Sequence, residues 1–281
     1  MSTNANALVS DNATSHAAQS RTIVMIHGMW STPAVWNNYR RFFAEHGYRV
    51  VTPCLRHHDR LPGDAPHPAL GTTSVLDYAA DLEAEIRELD EVPYVIGHSM
   101  GGFLAQLMAS RRLAQSAVLL ASAHCAPLFA LRMEAIWIFR QALFTTPFWR
   151  SAQKPDFETM RWGVLNGLST HDAAALYNTL IPESGRTLLE LALWFIDKNR
   201  AAYIEKGSVR CPMLFMTGEE DRLTPANLGR RIAQFHGKAA RFELLCGHAH
   251  WLPSEPGWEH IAARALQFFE TQGAGELRAA A

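Results

Sequence analysis

The sequence has almost no net charge, no long apolar run and few cysteines. The formal net charge of the 281 residues is −1, and without a basic cluster we expect neither nucleic acid nor an anionic membrane as a partner. No window reaches the ~18 apolar residues of a membrane span, so we expect no integral membrane segment. The first twenty residues have neither a positively charged start nor an apolar core. We therefore expect no export signal and a cytoplasmic protein.

Strand-like and helix-like segments alternate along most of the chain. This pattern favours one α/β domain with a mostly parallel, doubly wound sheet, and 48% hydrophobic residues can fill its core. The predicted strands are 22–26, 48–52, 92–97, 116–121, 212–217 and 240–245, and the predicted helices are 33–46, 74–90, 99–113, 225–236 and 256–271. We expect the domain to cover residues 21–273, with a disordered tail at 1–20 and a flexible tail at 274–281.

A Gly-x-Ser-x-Gly motif at residues 97–101 lies between an apolar run and a helix-like stretch. This is the strand-turn-helix setting of a nucleophile elbow, in which the two small glycines let strand and helix approach and expose the serine hydroxyl. Ser99 is therefore the predicted nucleophile. The alternative is a purely structural turn between a strand and a helix.

A serine hydroxyl needs a histidine base and a carboxylate that orients the base. Three acids follow the predicted strand 212–217, and Asp221 is preferred over Glu219 and Glu220 because it lies nearest the proline that starts the next helix. The strand 240–245 leads into a segment that contains two histidines, His248 and His250. One of these histidines is expected to be the base.

Together these motifs resemble the α/β-hydrolase fold, of the capped serine esterase and lysophospholipase-like kind, over nearly the whole chain. The resemblance rests on His-Gly-Met-Trp at residues 27–30, the elbow, the Asp221 loop and the histidine loop, in that order. In that family the base commonly precedes a glutamate by five residues, a spacing that His250 has to Glu255. A glycine before the histidine instead favours His248. We prefer His250 and keep His248 as the alternative base.

The resemblance also implies an oxyanion hole of two backbone amides, because acyl transfer places negative charge on the carbonyl oxygen. One amide is that of Met100, directly after the nucleophile. The other is assigned by resemblance to Met29, with Trp30 as the nearby alternative. No cofactor is needed for this chemistry.

Between residues 123 and 206 the alternation stops, and the segment becomes helical and aromatic. We expect it to be a helical cap over the strand ends, where ligands bind in open α/β sheets. Most of its aromatic side chains should pack the cap onto the sheet, and the rest should line an apolar pocket. The predicted pocket residues are Trp30, His98, Trp137 and Phe144.

Two segments could suggest a metal, the Cys-Gly-His-Ala-His run at 246–250 and the Arg-His-His-Asp run at 56–59. The first is explained by the predicted triad, and the second lies in a loop, so we predict no metal. The four cysteines match no paired zinc pattern and are expected to be reduced thiols: Cys54, Cys125, Cys211 and Cys246.

The predicted function is hydrolysis of a carboxylic ester with a small-to-medium apolar part, through an acyl-enzyme. The partner is then a small ester-like molecule, and the protein is a monomer or homodimer. The same triad on this fold also serves C–C bond hydrolases, thioesterases, haloperoxidases and hydroxynitrile lyases, between which the resemblance does not choose. A ligand receptor without catalysis is the alternative from another class.

Overall fold

The computed structural model describes residues 21–129, 133–144 and 147–279, with the backbone alone at 143–144 and 272–279. The described strands are β1 (Thr22–Ile26), β2 (Arg49–Val51), β3 (Tyr94–His98), β4 (Ser116–Leu120), β5 (Ala152–Gln153), β6 (Glu183–Ser184), β7 (Met213–Gly218) and β8 (Ala240–Leu245). Six of them form a central sheet in which all neighbouring strands are parallel, in the order β2-β1-β3-β4-β7-β8. The predicted tail at 1–20 lies outside the described residues.

The helices are α1 (Asn37–Glu45), α2 (Val75–Arg87), α3 (Met100–Ser110), α4 (Met133–Phe144), α5 (Phe157–Gly163), α6 (Thr170–Tyr177), α7 (Gly185–Ala192), α8 (Ala226–His236) and α9 (Trp258–Ala279). All strands and helices of the predicted sheet domain are present, and all but the last helix begin and end within a few residues of the prediction. The last helix is longer than predicted, because α9 continues from residue 271 to Ala279.

Alternate residues of the central strands enter two different hydrophobic cores. Ile23 and Met25 of β1 pack with α1 and α9 on one face, whereas Val24 and Ile26 pack on the opposite face. Because side chains alternate across a strand, burial on both faces requires the continuous apolar runs that the sequence shows. The sheet is therefore a rigid central layer that supports the loops at its carboxyl edge.

The segment between β4 and β7, here called the insertion, contains α4 to α7 and also a small antiparallel pair, β5 and β6. The sequence predicted helices alone in this segment. Each strand of the pair is two residues long, which is too short to leave an alternating pattern in the sequence.

Buried acids of the insertion attach it to the sheet domain. Glu183 accepts hydrogen bonds from His58 Nε2 at 3.1 Å and from the Tyr78 hydroxyl at 2.7 Å. Glu190 accepts from the Ser74 hydroxyl at 2.8 Å. Burial alone would lower the pKa of His58, but the charge and hydrogen bond of Glu183 outweigh it, and the pKa is raised. The insertion is thus joined to the loops after β2 by a buried, hydrogen-bonded ion pair.

Candidate active site

Ser99 lies on a sharp turn between β3 and α3, with φ of 55° and ψ of −118°. Few residues other than glycine adopt such angles, so the strain marks a position that the surrounding structure holds in place. A side chain at Gly97 would overlap the carbonyl group of Gly101, and one at Gly101 would overlap that of Ile26. The two glycines of the motif are therefore required by the close approach of β1, β3 and α3.

Ser99, His250 and Asp221 form a hydrogen-bonded chain at the carboxyl edge of the sheet. The Ser99 Oγ lies 3.1 Å from His250 Nε2, and His250 Nδ1 lies 2.9 Å from Asp221 Oδ2. All three residues are buried. Ser99 follows β3, Asp221 follows β7 and His250 follows β8, so three parallel strands bring together residues that are distant in sequence. This is the geometry of a nucleophile, a general base and an orienting acid.

Asp221 is fixed by further hydrogen bonds. Its Oδ1 accepts from the amides of Leu223 at 2.9 Å and Thr224 at 2.7 Å, and the Thr224 hydroxyl lies 2.8 Å from Oδ2. Burial by itself would raise the pKa of Asp221, but the charge of His250 and these hydrogen bonds lower it below its ordinary value. A carboxylate is therefore kept ionised beside His250. The competing acids Glu219 and Glu220 are exposed.

His250, not His248, points its ring at Ser99. The His248 ring is on the other side of the loop, with Nδ1 3.4 Å from Glu255 Oε2. The buried Glu255 carboxylate also accepts from the amides of Ala249 at 2.8 Å and Trp251 at 2.7 Å, which are the two neighbours of His250. Glu255 thus clamps the loop that presents His250. The only sign of Glu255 in the sequence is its five-residue spacing from His250, and that spacing does not predict its hydrogen bonds.

The predicted oxyanion donors lie beside the nucleophile. Met100 is the first residue of α3, so its amide has no acceptor within the helix. The loop after β1 approaches so closely that a Cβ at Gly28 would lie 3.0 Å from Ser99 Cβ. Within the described residues, no backbone carbonyl accepts from the amides of Met29 or Met100. Both residues line the same cavity as Ser99.

A cavity of about 330 Å³ opens above Ser99. The sheet domain and the insertion both contribute walls. Its lining is almost wholly apolar: Met29, Ser99, Met100, Ala123, His124, Ala135, Ile136, Phe139, Ala142, Phe148, Leu188, Leu191, Ala192, Leu193, Leu223, Thr224 and Leu228. Sites of this size and composition accommodate small apolar molecules.

Two predicted pocket residues of the sheet domain are not in this lining. His98 needs correction: its ring is buried below the cavity, donates from Nε2 to the His250 carbonyl at 2.9 Å and packs against Trp251. Burial and the neighbouring His250 lower its pKa to about 3, so it is neutral. Trp30 lies in an adjacent small pocket, where Nε1 donates to Gln153 at 3.0 Å and the ring packs on Phe139.

The two aromatic pocket residues predicted from the insertion have different outcomes. Trp137 needs correction, because it is half-exposed on the outer surface with the Arg140 guanidinium 3.9 Å from its ring centre. The side chain of Phe144 lies outside the described residues. Phe139 and Phe148 line the cavity instead. Helical spacing alone could not distinguish these positions, since it does not fix which face of α4 turns inward.

Neither histidine segment forms a metal site in the part of the chain that the structure describes, where no group of three or more potential ligands is close enough. His57 stacks on His67 at 3.8 Å, and His58 pairs with Glu183. Among the described helices, none is both long and apolar enough to cross a bilayer.

The sequence from residue 23 to residue 258 matches the model of the alpha/beta hydrolase family. The chain belongs to this family. Membership confirms the predicted α/β-hydrolase fold and the prediction of an enzyme of this kind. The chain is 25% identical over 255 residues to a pimeloyl-[acyl-carrier protein] methyl ester esterase of Chromobacterium violaceum, covering 89% of this chain and 95% of that relative. A shorter match, 34% identity over 92 residues, relates it to a mouse sn-1-specific diacylglycerol lipase, of which it covers 28%.

Solved α/β-hydrolase structures have the same fold. A methylesterase from Arabidopsis superposes with a TM-score of 0.63 at 13% identity and covers 88% of this chain and 99% of its own. A monoacylglycerol lipase of Paleococcus ferrophilus gives a TM-score of 0.64 at 19% identity, covering 90% and 94%. At these identities the superpositions show a shared fold over about nine tenths of this chain.

Proposed function

We propose that this hydrolase cleaves a carboxylic ester through an acyl-enzyme formed on Ser99. The observation that carries the proposal is the continuous hydrogen-bonded chain from the Ser99 hydroxyl to the ionised Asp221 through His250. The relatives support the same reaction class, since their names describe esterases and lipases.

In the first step the Ser99 oxygen attacks the ester carbonyl carbon while His250 Nε2 takes the hydroxyl proton. Asp221 holds the opposite ring nitrogen and stabilises the positive charge on the imidazole. The amides of Met100 and Met29 donate to the oxygen that becomes negative. His250 then returns the proton to the leaving alcohol, and the carbon–oxygen bond of the ester breaks.

In the second step a water molecule attacks the acyl carbon. His250 again takes a proton, the second oxyanion occupies the same two amides, and the acid leaves as Ser99 is protonated. Every proton moves between Ser99, His250, water and the substrate. The cycle needs no cofactor, and each charged species lies beside a group that stabilises it.

The cavity indicates the size and polarity of the substrate. Ligand sites span about 300 to 1,000 Å³, and a cavity of about 330 Å³ lies at the small end of that range. Residues such as Phe139, Phe148, Leu188 and Leu191 offer apolar contacts to the acyl or alcohol part. We infer that the substrate is a small-to-medium ester with an apolar body, and that the insertion acts as a cap over it.

The test is reaction with a fluorophosphonate probe together with turnover of p-nitrophenyl esters of graded acyl length. Removal of a triad serine can lower kcat by up to about 10⁶-fold, so Ser99→Ala should lose both labelling and turnover. Ser110→Ala, at the far end of the same helix α3, is the matched control and should retain both. Retention of several per cent of wild-type turnover by purified Ser99→Ala would disprove the nucleophile.

A further inference from the structure

His124 brings an unsatisfied polar group into an otherwise apolar cavity. Three polar side chains line the cavity in the described residues, those of Ser99, His124 and Thr224. The Ser99 hydroxyl is bonded to His250, and the Thr224 hydroxyl lies 2.9 Å from the Ala121 carbonyl. The ring of His124, by contrast, has no hydrogen-bond partner anywhere in the described part of the chain, although only 9% of the residue is exposed.

The position of His124 places it near the reacting atoms. It lies in the loop after β4, four residues beyond Leu120, and the amide of the preceding Ala123 donates to the Ser99 carbonyl at 2.9 Å. The backbone at His124 is thereby fixed to the strained turn that carries the nucleophile. Because Ser99 and His124 line the same cavity, a ligand bound at Ser99 shares that cavity with the His124 side chain.

His124 is a neutral imidazole at physiological pH. Burial, and then the charge of Arg231, lower its pKa to about 4. A neutral imidazole has one N–H donor and one nitrogen acceptor. Buried polar side chains almost always have a hydrogen-bond partner. The ring nitrogens of His124 are not among the fully enclosed polar atoms of the described residues that lack a partner, so they are open to the cavity and can bond to a molecule bound there.

We propose that His124 is a specificity-determining residue that hydrogen-bonds to an uncharged oxygen, a hydroxyl or keto group, on the apolar part of the ester. The proposal rests on the ester-hydrolase function above and specifies its substrate class. A carboxylate or ammonium group fits less well, because the cavity lining contains no charged side chain to pair with it. The preferred substrate is thus an oxygenated ester instead of a plain alkyl ester.

The test compares esters that differ only in this oxygen. The acyl pairs are p-nitrophenyl pentanoate with 4-oxopentanoate and hexanoate with 5-oxohexanoate, and the alcohol pair is pentyl with 4-oxopentyl butyrate. For each pair the measured quantity is the ratio of kcat/KM for the oxo ester to that for its parent. Both esters are assayed with the same enzyme preparation. The fraction of folded enzyme therefore affects both kcat/KM values equally and does not alter their ratio.

His124→Phe keeps a planar ring but removes both nitrogens, and should lower the ratio for at least one pair about tenfold relative to wild type, as expected for loss of one hydrogen bond. His124→Leu should act in the same direction. His124→Gln, which retains a donor and an acceptor, should recover part of the preference. The control is His260→Phe, the same substitution at an exposed histidine of α9 that does not line the cavity.

Ratios that stay within about twofold of wild type in both His124→Phe and His124→Leu, for all three pairs, would overturn the proposal. An equal fall in His260→Phe would also overturn it. If wild type hydrolysed no ester, the ester-hydrolase function would fail separately. The dissociation constants of each pair, measured by calorimetry on Ser99→Ala with and without His124→Phe, would then decide the role of His124.

Discussion

Asp221→Asn tests the predicted triad most sharply, because the structure shows which bonds the substitution keeps. The asparagine Oδ1 can still accept from the amides of Leu223 and Thr224, at 2.9 and 2.7 Å in the wild type. The other oxygen becomes an NH₂ group, which must face His250 Nδ1. Because an NH₂ group only donates, His250 has to accept at Nδ1 and carry its proton on Nε2. It can then no longer take the proton of Ser99.

Loss of the correct histidine tautomer lowers kcat by about 10⁴ in a Ser-His-Asp triad, or about 5.4 kcal/mol of transition-state stabilisation. We expect a loss of this size in Asp221→Asn with little change in fold, since the loop amides keep their acceptor. The assay is kcat for a short p-nitrophenyl ester beside a thermal melt. Glu220→Gln, at the neighbouring exposed position, is the control and should keep wild-type kcat.

Retention of more than about 5% of wild-type kcat in a folded Asp221→Asn preparation would refute this reasoning. Such a variant would have lost less than about 20-fold in kcat, whereas a loss of about 10⁴-fold is expected. A severe loss of kcat in Glu220→Gln, together with a normal kcat in Asp221→Asn, would instead assign the orienting role to Glu220. Both outcomes are measured with one substrate and one method.

Two further predictions concern the histidine loop and the ion pair that holds the insertion. His250→Ala should lose nearly all turnover whereas His248→Ala should keep most of it, because only His250 reaches the Ser99 hydroxyl; equal losses in kcat would contradict this assignment. Glu183→Gln removes the partner of His58, and since breaking a buried ion pair costs about 3–5 kcal/mol, it should lower Tm. The pKa of His58 is raised above 6.5, so the pair stabilises fully below that pH and loses its contribution as pH rises through the folded-state pKa. The Tm difference between wild type and Glu183→Gln should therefore narrow from pH 6.5 towards pH 9, and a difference that stays constant would contradict the pairing.

The sequence predicted the sheet well because its strands are buried on both faces and therefore appear as apolar runs. It also predicted the residues that the structure brings together at the sheet edge, because Ser99, Asp221 and His250 each lie within five residues of the end of such a run. The carboxyl ends of parallel strands meet at one edge of the sheet, so the loops after β3, β7 and β8 lie at the same edge. The family resemblance added the choice of His250 over His248.

The pocket could not be predicted in the same way. His98 is one residue from the nucleophile, but the alternation of β3 turns its ring below the cavity. Trp137 and Phe139 are two positions apart on α4, and only the packing of that helix against the sheet domain decides that Phe139 faces inward. The absence of a hydrogen-bond partner for the His124 ring in the described residues likewise depends on its surroundings. No local sequence pattern distinguishes such a histidine from a buried histidine that has a partner.

The cavity above Ser99 has a floor from the loops of the sheet and a roof from α4, Phe148 and α7. In the described part of the chain the side chains of this roof are apolar and make no hydrogen bond to Asp221 or to the ring of His250. Substitutions that change substrate selectivity can accordingly occur at positions separate from the residues of the proposed triad. A library of variants restricted to roof positions such as Ile136, Phe139 and Leu191 would sample new ester preferences while the proton-transfer apparatus is inherited unchanged, which makes this segment the natural target for redesign.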